Sequence, residues 1–155
     1  MKDANDFNTT SEHFPVNEND DIWSFHGHLE LVNFPSTSEI FEAVFENKYY
    51  ASSIGNGNGE TLKANERACN IFGYTPKEMC RLTVNNLFDT KTKDYADLLL
   101  SRDCEGKAKG IITGIRKNGE RFPCEISSHI YINDNGEKRT LNTMQDLSKK
   151  YSIAF

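Results

Sequence analysis

The feature that most constrains this chain is a long alternation late in the sequence. From Arg121 to Ile132, the residues Phe122, Cys124, Ile126, Ser128, Ile130 and Ile132 recur at every second position. That period places all six on one face of an extended strand. Asn118-Gly119 stands before the run and Asn135-Gly136 after it, and Asn-Gly pairs favour the tight turns that join antiparallel neighbours. Lys109 to Arg116 and Lys138 to Gln145 therefore read as the flanking strands. Three consecutive antiparallel strands with one apolar face need cover, and the cover has to come from upstream.

Upstream the period shortens to that of helices. Ser36-Thr37-Ser38-Glu39 offers hydroxyl caps ahead of Ile40, Phe41, Val44 and Phe45, predicting a helix over about 37–47. Tyr49 to Ile54 is aromatic and β-prone, Gly55-Asn56-Gly57-Asn58-Gly59 is a turn, and Glu60 to Ala64 completes a hairpin. That Gly-rich run lacks the Lys-Ser or Lys-Thr of a phosphate loop and leads into a strand. Asn65 caps a helix through Ala68, Cys69, Ile71 and Phe72 that Gly73 ends. Thr75-Pro76-Lys77-Glu78 combines a Thr cap, a proline at the first helical position and a glutamate that closes a capping box. Leu82 to Phe88 reads as a brief turn. Tyr95, Leu98 and Leu99 mark one face of a helix from about Lys93 to Arg102. Two strands, several short helices and three more strands make an α+β domain with helices on one face of a five-stranded sheet.

Charge sets aside several partners. Of 155 residues, 18 are Lys or Arg and 23 Asp or Glu, for a net charge of -5. Residues 1–36 hold seven acids against one base, so this extension is acidic and is expected to be partly disordered at its beginning. Within it, the apolar segment 22–34 should pack on something. Residues 37–148 form the domain and 149–155 a tail. A basic group around Arg102, Lys107, Lys109, Arg116, Lys117 and Arg121 is interrupted by Asp103, Glu105 and Glu120, which reads as a solvated strand face and not as a nucleic-acid patch. No leader pattern or membrane-length apolar run is present. Cys69, Cys80, Cys104 and Cys124 form no Cys-x-x-Cys pair and read as reduced thiols, so the expected location is the cytoplasm.

Four segments carry a family likeness: Glu39 to Glu46, Asn65 to Glu78, Arg116 to Pro123 and Asp146-Leu147-Ser148. In that order and spacing, over residues 38–148, the chain resembles a PAS domain, the sensory module of bacterial signalling proteins. The resemblance implies a five-stranded antiparallel sheet in the order 2-1-5-4-3, with helices enclosing a pocket against one sheet face. Light-sensing members attack flavin with a cysteine in an Asn-Cys-Arg-Phe motif, where this chain has Thr83-Val84-Asn85-Asn86-Leu87 and Val84 stands in the cysteine's place. Their flavin-facing glutamine corresponds to Met144, with Gln145 on the opposite face. Haem members, similar in Ile112-Thr113-Gly114 and Arg121-Phe122-Pro123, use a helix histidine where this chain has Lys93. Covalent flavin photochemistry and histidine-ligated haem are not expected, and the identity of any cofactor is left open.

The resemblance implies a signal-sensing module that binds a small molecule and relays its presence through dimer or partner contacts, to a separate partner or a fused output domain. The alternative is a ligand-free module for dimerisation or protein docking. Candidate pocket residues are Asn65, Cys69, Phe72, Tyr95, Leu98, Thr113, Cys124, Ile126, Ser128, Asn142 and Met144. Apolar walls with a few polar groups are what small-molecule sites present. No hydrolase, protease or paired-carboxylate pattern appears, so no enzyme is expected. His26-Gly27-His28 offers two imidazoles, short of the three or four ligands zinc requires, and no metal site is expected. Trp23, Phe25, Leu29, Phe34, Phe41, Val44, Phe45, His129 and Tyr131 are the candidate interface of a homodimer.

Overall fold

The fold was described from a computed structural model covering residues 36–151. The expectations for residues 1–35, including Trp23, Phe25, Leu29, Phe34 and the His26/His28 pair, lie outside the described residues. So does the end of the tail, 152–155.

The elements run α1 (Thr37–Phe45), β1 (Ala51–Asn56), β2 (Thr61–Ala64), α2 (Glu66–Phe72), α3 (Pro76–Met79), α4 (Val84–Leu87), α5 (Lys93–Glu105), β3 (Lys107–Ile115), β4 (Arg121–Ile132), β5 (Lys138–Asp146) and α6 (Ser148–Tyr151). The five strands form one antiparallel sheet in the order β2-β1-β5-β4-β3. This is the α+β PAS fold. Helix α5 extends one turn beyond the expected Arg102, to Glu105, because Gly106 at φ 79° supplies the left-handed cap and donates its N–H to the Arg102 carbonyl at 2.7 Å.

Register fixes which side chains face the helices. Ile126 sits between Gly110 of β3 and Met144 of β5, and Ser128 between Ala108 and Asn142. Phe122, Cys124, Ile126 and Ser128 are all buried. Ile130 and Ile132 keep the same parity but run past the helical cover, and Ile132 is 62% exposed. The reason is that α5 ends level with them, where the Ile130 N–H donates to the Gly106 carbonyl. Gly114 allows the tightest approach in the sheet. A Cβ there would lie 2.5 Å from Phe122 Cζ, so only glycine lets that ring cross beneath β3.

Two polar residues bind the elements together. Asn65 is fully buried, and its side chain uses every hydrogen-bonding site it has. Its Oδ1 accepts from the Ala68 and Ser52 N–H groups at 2.9 Å each, and its Nδ2 donates to the Phe45 and Tyr50 carbonyls at 2.7 and 2.8 Å. At the other end of the sheet, Arg116 donates to the Ile71 carbonyl and to Asp146 Oδ2 at 2.7 Å each, and to Glu120 at 2.9 Å. Its guanidinium lies 4.0 Å from the Phe122 ring centroid. Burial pushes the Asp146 carboxyl up, but the bonds it accepts from Ser148 and Arg116 outweigh this and hold it below the usual aspartate range.

Phe45, expected at a dimer interface, is instead 3% exposed. It stacks on Phe41 at 5.4 Å, with the Lys63 ammonium 5.1 Å from its ring, and Lys63 also pairs with Glu42 at 2.5 Å. It is committed to docking α1 on its own domain and is not free for a partner.

Asn65→Ala removes a cap worth about 0.5–2 kcal/mol and leaves buried groups unpaired at about 1–3 kcal/mol each. Urea unfolding should show a loss of at least about 3 kcal/mol, against about 1 kcal/mol for Thr75→Ala at the exposed cap of α3. Similar losses from the two would contradict the joining role of Asn65.

Since Asp146 titrates lower in the folded chain than in the unfolded one, its contribution is complete above about pH 4. It is lost as pH falls from there through the lowered value, because the unfolded chain takes up the proton first. Asp146→Asn should flatten the part of the stability profile below about pH 4. An unaltered slope would show that the carboxylate is not held as described.

Candidate functional site

The inner sheet face divides into a packed half and an open half. On the packed half, α2 lays Cys69 and Phe72 on the sheet, with Phe72 edge-on to Phe88 at 5.5 Å and tilted on Phe122 at 5.6 Å. Cys124, Met79 and Met144 complete this dry cluster. On the open half lies a cavity of about 230 Å³.

The cavity has an apolar and a polar wall. Tyr95, Leu98 and Leu99 of α5 face Ile112 and Ile126 of the sheet, and Val84, Leu87 and Phe88 close the side. Beyond them, one helical turn along α5 and two residues along β4, the lining becomes polar. Ser128 Oγ donates to Asn142 Oδ1 at 2.6 Å, and Asn142 Nδ2 reaches Ser53 Oγ and Thr140 Oγ1 at 3.4 Å each. Arg102 Nη1 donates to Ser128 Oγ at 3.4 Å. The lining runs out to Lys138, the end of β1 and the hairpin turn 57–60. There Asn56 Oδ1 accepts the Asn58 and Glu60 N–H groups, and its Nδ2 holds the Glu60 carboxylate at 2.6 Å. The turn is tied to α4 by the Val84 N–H donating to the Gly59 carbonyl.

Of the residues expected in the pocket, Tyr95, Leu98, Ile126, Ser128 and Asn142 line this cavity. The other six do not. Asn65 is consumed by its four hydrogen bonds, and Cys69, Phe72, Cys124 and Met144 are packed in the dry half. Thr113 has the wrong parity: it pairs with Pro123, so it faces outward between Ile112 and Gly114, which face the helices. Arg102, Ser53, Thr140 and Lys138 were missed. Arg102 had a readable signal, because it follows Tyr95 by seven residues and Leu98 by four and so shares their helix face.

Electrostatics make the cysteines poor nucleophiles here. Burial pushes the Cys124 thiol up to about 12, with the nearby Asp146 charge adding to it, and burial also raises Cys69. Cys80 and Cys104 are exposed, away from the cavity. Burial raises the Tyr95 phenol, and the Arg102 charge pulls the other way. Among the described residues no group of three or more His, Cys, Asp or Glu is placed to hold a metal ion.

Two positions that the resemblance matches to cofactor chemistry hold other residues. Val84 lines the cavity without a sulfur to attack flavin. Lys93 points to solvent, its side chain 85% exposed and paired with Asp97 at 2.5 Å. His129, expected with Tyr131 at an interface, is exposed on the outer sheet face opposite Lys107 and Leu141, and Tyr131 is 40% exposed on the same face. No described helix is long and apolar enough to cross a membrane.

Comparison with known proteins agrees with this architecture. The PAS domain family model matches residues 50–149. No curated protein matches the chain. A PAS domain from Colwellia psychrerythraea superposes with a TM-score of 0.64 at 17% identity, over 72% of this chain and 98% of that one. A domain of a sensory box sensor histidine kinase/response regulator from Geobacter sulfurreducens gives 0.58 at 25% identity, over 70% and 93%. The PAS domain of a LuxR-family transcriptional regulator from Burkholderia thailandensis, determined in complex with ethanol, gives 0.59 at 14% identity, over 70% and 97%. With the family model spanning more than half of its residues, this chain belongs to the PAS domain family, the sensor modules of signalling proteins.

Proposed function

We propose that the chain senses a small molecule held in the 230 Å³ cavity and relays its presence through contacts with a second copy or a signalling partner. The observation that carries this reading is the mixed wall itself. Domain interiors leave few voids larger than a water molecule, whereas this space holds about eight water volumes of about 30 Å³ each. Apolar walls with a few converging polar groups are the usual make-up of a small-molecule site. The ligand is small, since drug-sized pockets start at about 300 Å³. Ethanol in the Burkholderia relative is a ligand of that kind. A fused or separate output, as in the kinase from which the Geobacter domain comes, is the partner such a sensor requires.

Native mass spectrometry of freshly purified protein should show an added small mass. Ile126→Trp, which fills the cavity from β4, should remove that mass at a cost of about 1–3 kcal/mol. Glu125→Trp should change neither, because Glu125 lies on the outer face opposite Gln145, with Lys109 3.5 Å away. Equal effects from the two substitutions would show the cavity is not the binding site.

The exposed face of α1 supports the dimer contact. Ile40, Phe41 and Val44 are 50%, 39% and 66% exposed and adjacent on one helix, an apolar patch that favours a partner over water. Light scattering should find a dimer of the full chain that Ile40→Glu with Val44→Glu, or Trp23→Ser with Phe25→Ser, shifts to monomer. A wild-type monomer would refute the dimer, and a dimer untouched by both pairs would refute this interface.

A further inference from the structure

The guanidinium of Arg102 is the least satisfied charged group around the cavity. Its side chain is 19% exposed, and its Nε is buried without any hydrogen-bond partner. The two contacts of its terminal nitrogens, to Ser128 Oγ at 3.4 Å and Asp103 Oδ1 at 3.5 Å, both exceed the usual range of about 2.7–3.2 Å. A planar fork of five donors is thus held at the cavity wall with only long contacts to its terminal nitrogens and none to its Nε. A group in this position gains most from an oxygen pair, because Arg and carboxylate match in two parallel charge-assisted bonds.

We infer that the ligand is a small organic carboxylate, its head on Arg102 and its apolar tail between Leu98 and Ile126. This rests on the cavity being a ligand site, as proposed above. Three features fix the class. First, helix and strand run in step. Leu98 lies over Gly110, the neighbour of Ile126, at 3.3 Å from where a Cβ would stand, and Arg102 lies over Ser128. The apolar-to-polar change therefore falls at the same level on both walls. Second, the hydrogen bonds leave donors in excess. The Ser128 proton is taken by Asn142 Oδ1 at 2.6 Å, and the Asn142 amide N–H reaches Ser53 and Thr140 only at 3.4 Å. Third, the charge suits a monoanion. Arg102 and Lys138 share the single carboxylate of Asp103, at 3.5 and 3.9 Å, while the Glu60 carboxylate is held by Asn56 in the turn. The lining itself carries Arg102 and Lys138 against Glu60, one positive charge in excess, and Asp103, outside the lining, reaches both cations only at long range.

The test compares hexanoate with 1-hexanol and hexyl phosphate, probes with tails of one length and close to the eight-water volume of the cavity. Titration calorimetry on the full chain should show hexanoate binding at least about ten-fold more tightly than hexanol. Arg102→Met should abolish that preference while leaving hexanol affinity within about two-fold. Asn142→Asp places an anion beside Ser128 and should weaken hexanoate alone, which keeps the test decisive if Arg102→Met fails to fold. Equal affinity for hexanoate and hexanol, or a preference that survives both substitutions, overturns the carboxylate inference and leaves the cavity reading standing. Tighter binding of hexyl phosphate than of hexanoate also overturns it. Failure of every probe to bind, with no added mass in the native protein, overturns both.

Discussion

A buried amide with nothing left to offer holds this domain together. Asn65 sits where α1, β1 and α2 converge, and each of those elements ends or begins with backbone groups that have no partner of their own. Helix termini leave such groups by construction, and burying them unpaired is costly. A single side chain with two donors and two acceptors meets four of them, and its backbone adds a bond to Ser52 and another from Cys69. Serine or threonine caps a helix as well at the surface, as Thr75 and Thr92 do here. Neither could also donate twice into the α1–β1 junction.

With that corner fixed by Asn65 and the opposite one by Arg116, the inner face of the sheet has little freedom. Arg116 connects the end of β3 to the last turn of α2 and to Asp146 at the end of β5. Between the two anchors the short helices α2 and α3 pack Phe72 and Met79 to complete burial. What remains is the stretch under α5, a helix fixed by its Thr92 cap at one end and Gly106 at the other. The cavity lies between α5 and the sheet, where the inward residues turn from Ile112 and Ile126 to Ser128 and Asn142.

The fold was legible because its signals are local. The alternation from Phe122 to Ser128, the Asn-Gly turns and the caps at Asn65 and Thr75 each report a backbone state without reference to anything distant. β4 runs over the residues its pattern implied, and the capping box at Thr75 is present. The end of α5 was legible too, in Gly106, but the apolar periodicity stops at Leu99 and hid it. The cavity was only half legible. Parity tells which strand residues face inward, and so Ile126, Ser128 and Asn142 could be read from it, but it does not tell whether a helix packs down on them. Cys124 and Ile126 share a face two residues apart, yet one lies in dry packing and the other on the cavity wall. That difference depends on how the helices pack over β4, a tertiary fact with no trace in the strand itself. Arg102 was set aside because charge was taken as a sign of exposure, although long basic side chains often bury their stems and bring the head inward.

The same hydrogen bonds that line the cavity also point out of it. From Arg102 the chain of contacts passes to Ser128 on β4, to Asn142 on β5 and to Ser53 on β1, crossing three neighbouring strands. Ser53 follows Ser52, whose N–H and carbonyl are both bound by Asn65, and Asn65 in turn holds the last carbonyl of α1. A ligand that draws Arg102 off Ser128 frees that hydroxyl and alters the demand on the Asn142 amide. The longest bonds in the series, at 3.4 Å, are the ones with room to shorten. Contiguity alone does not make a relay, which also requires an element able to settle in two arrangements. Helix α1 stands at the far end of that series. Its inner side is fixed through Phe45 and Asn65, while Ile40 and Val44 on its outer side face solvent. One amide thus joins β1 to the helix that carries Ile40 and Val44 on its solvent side.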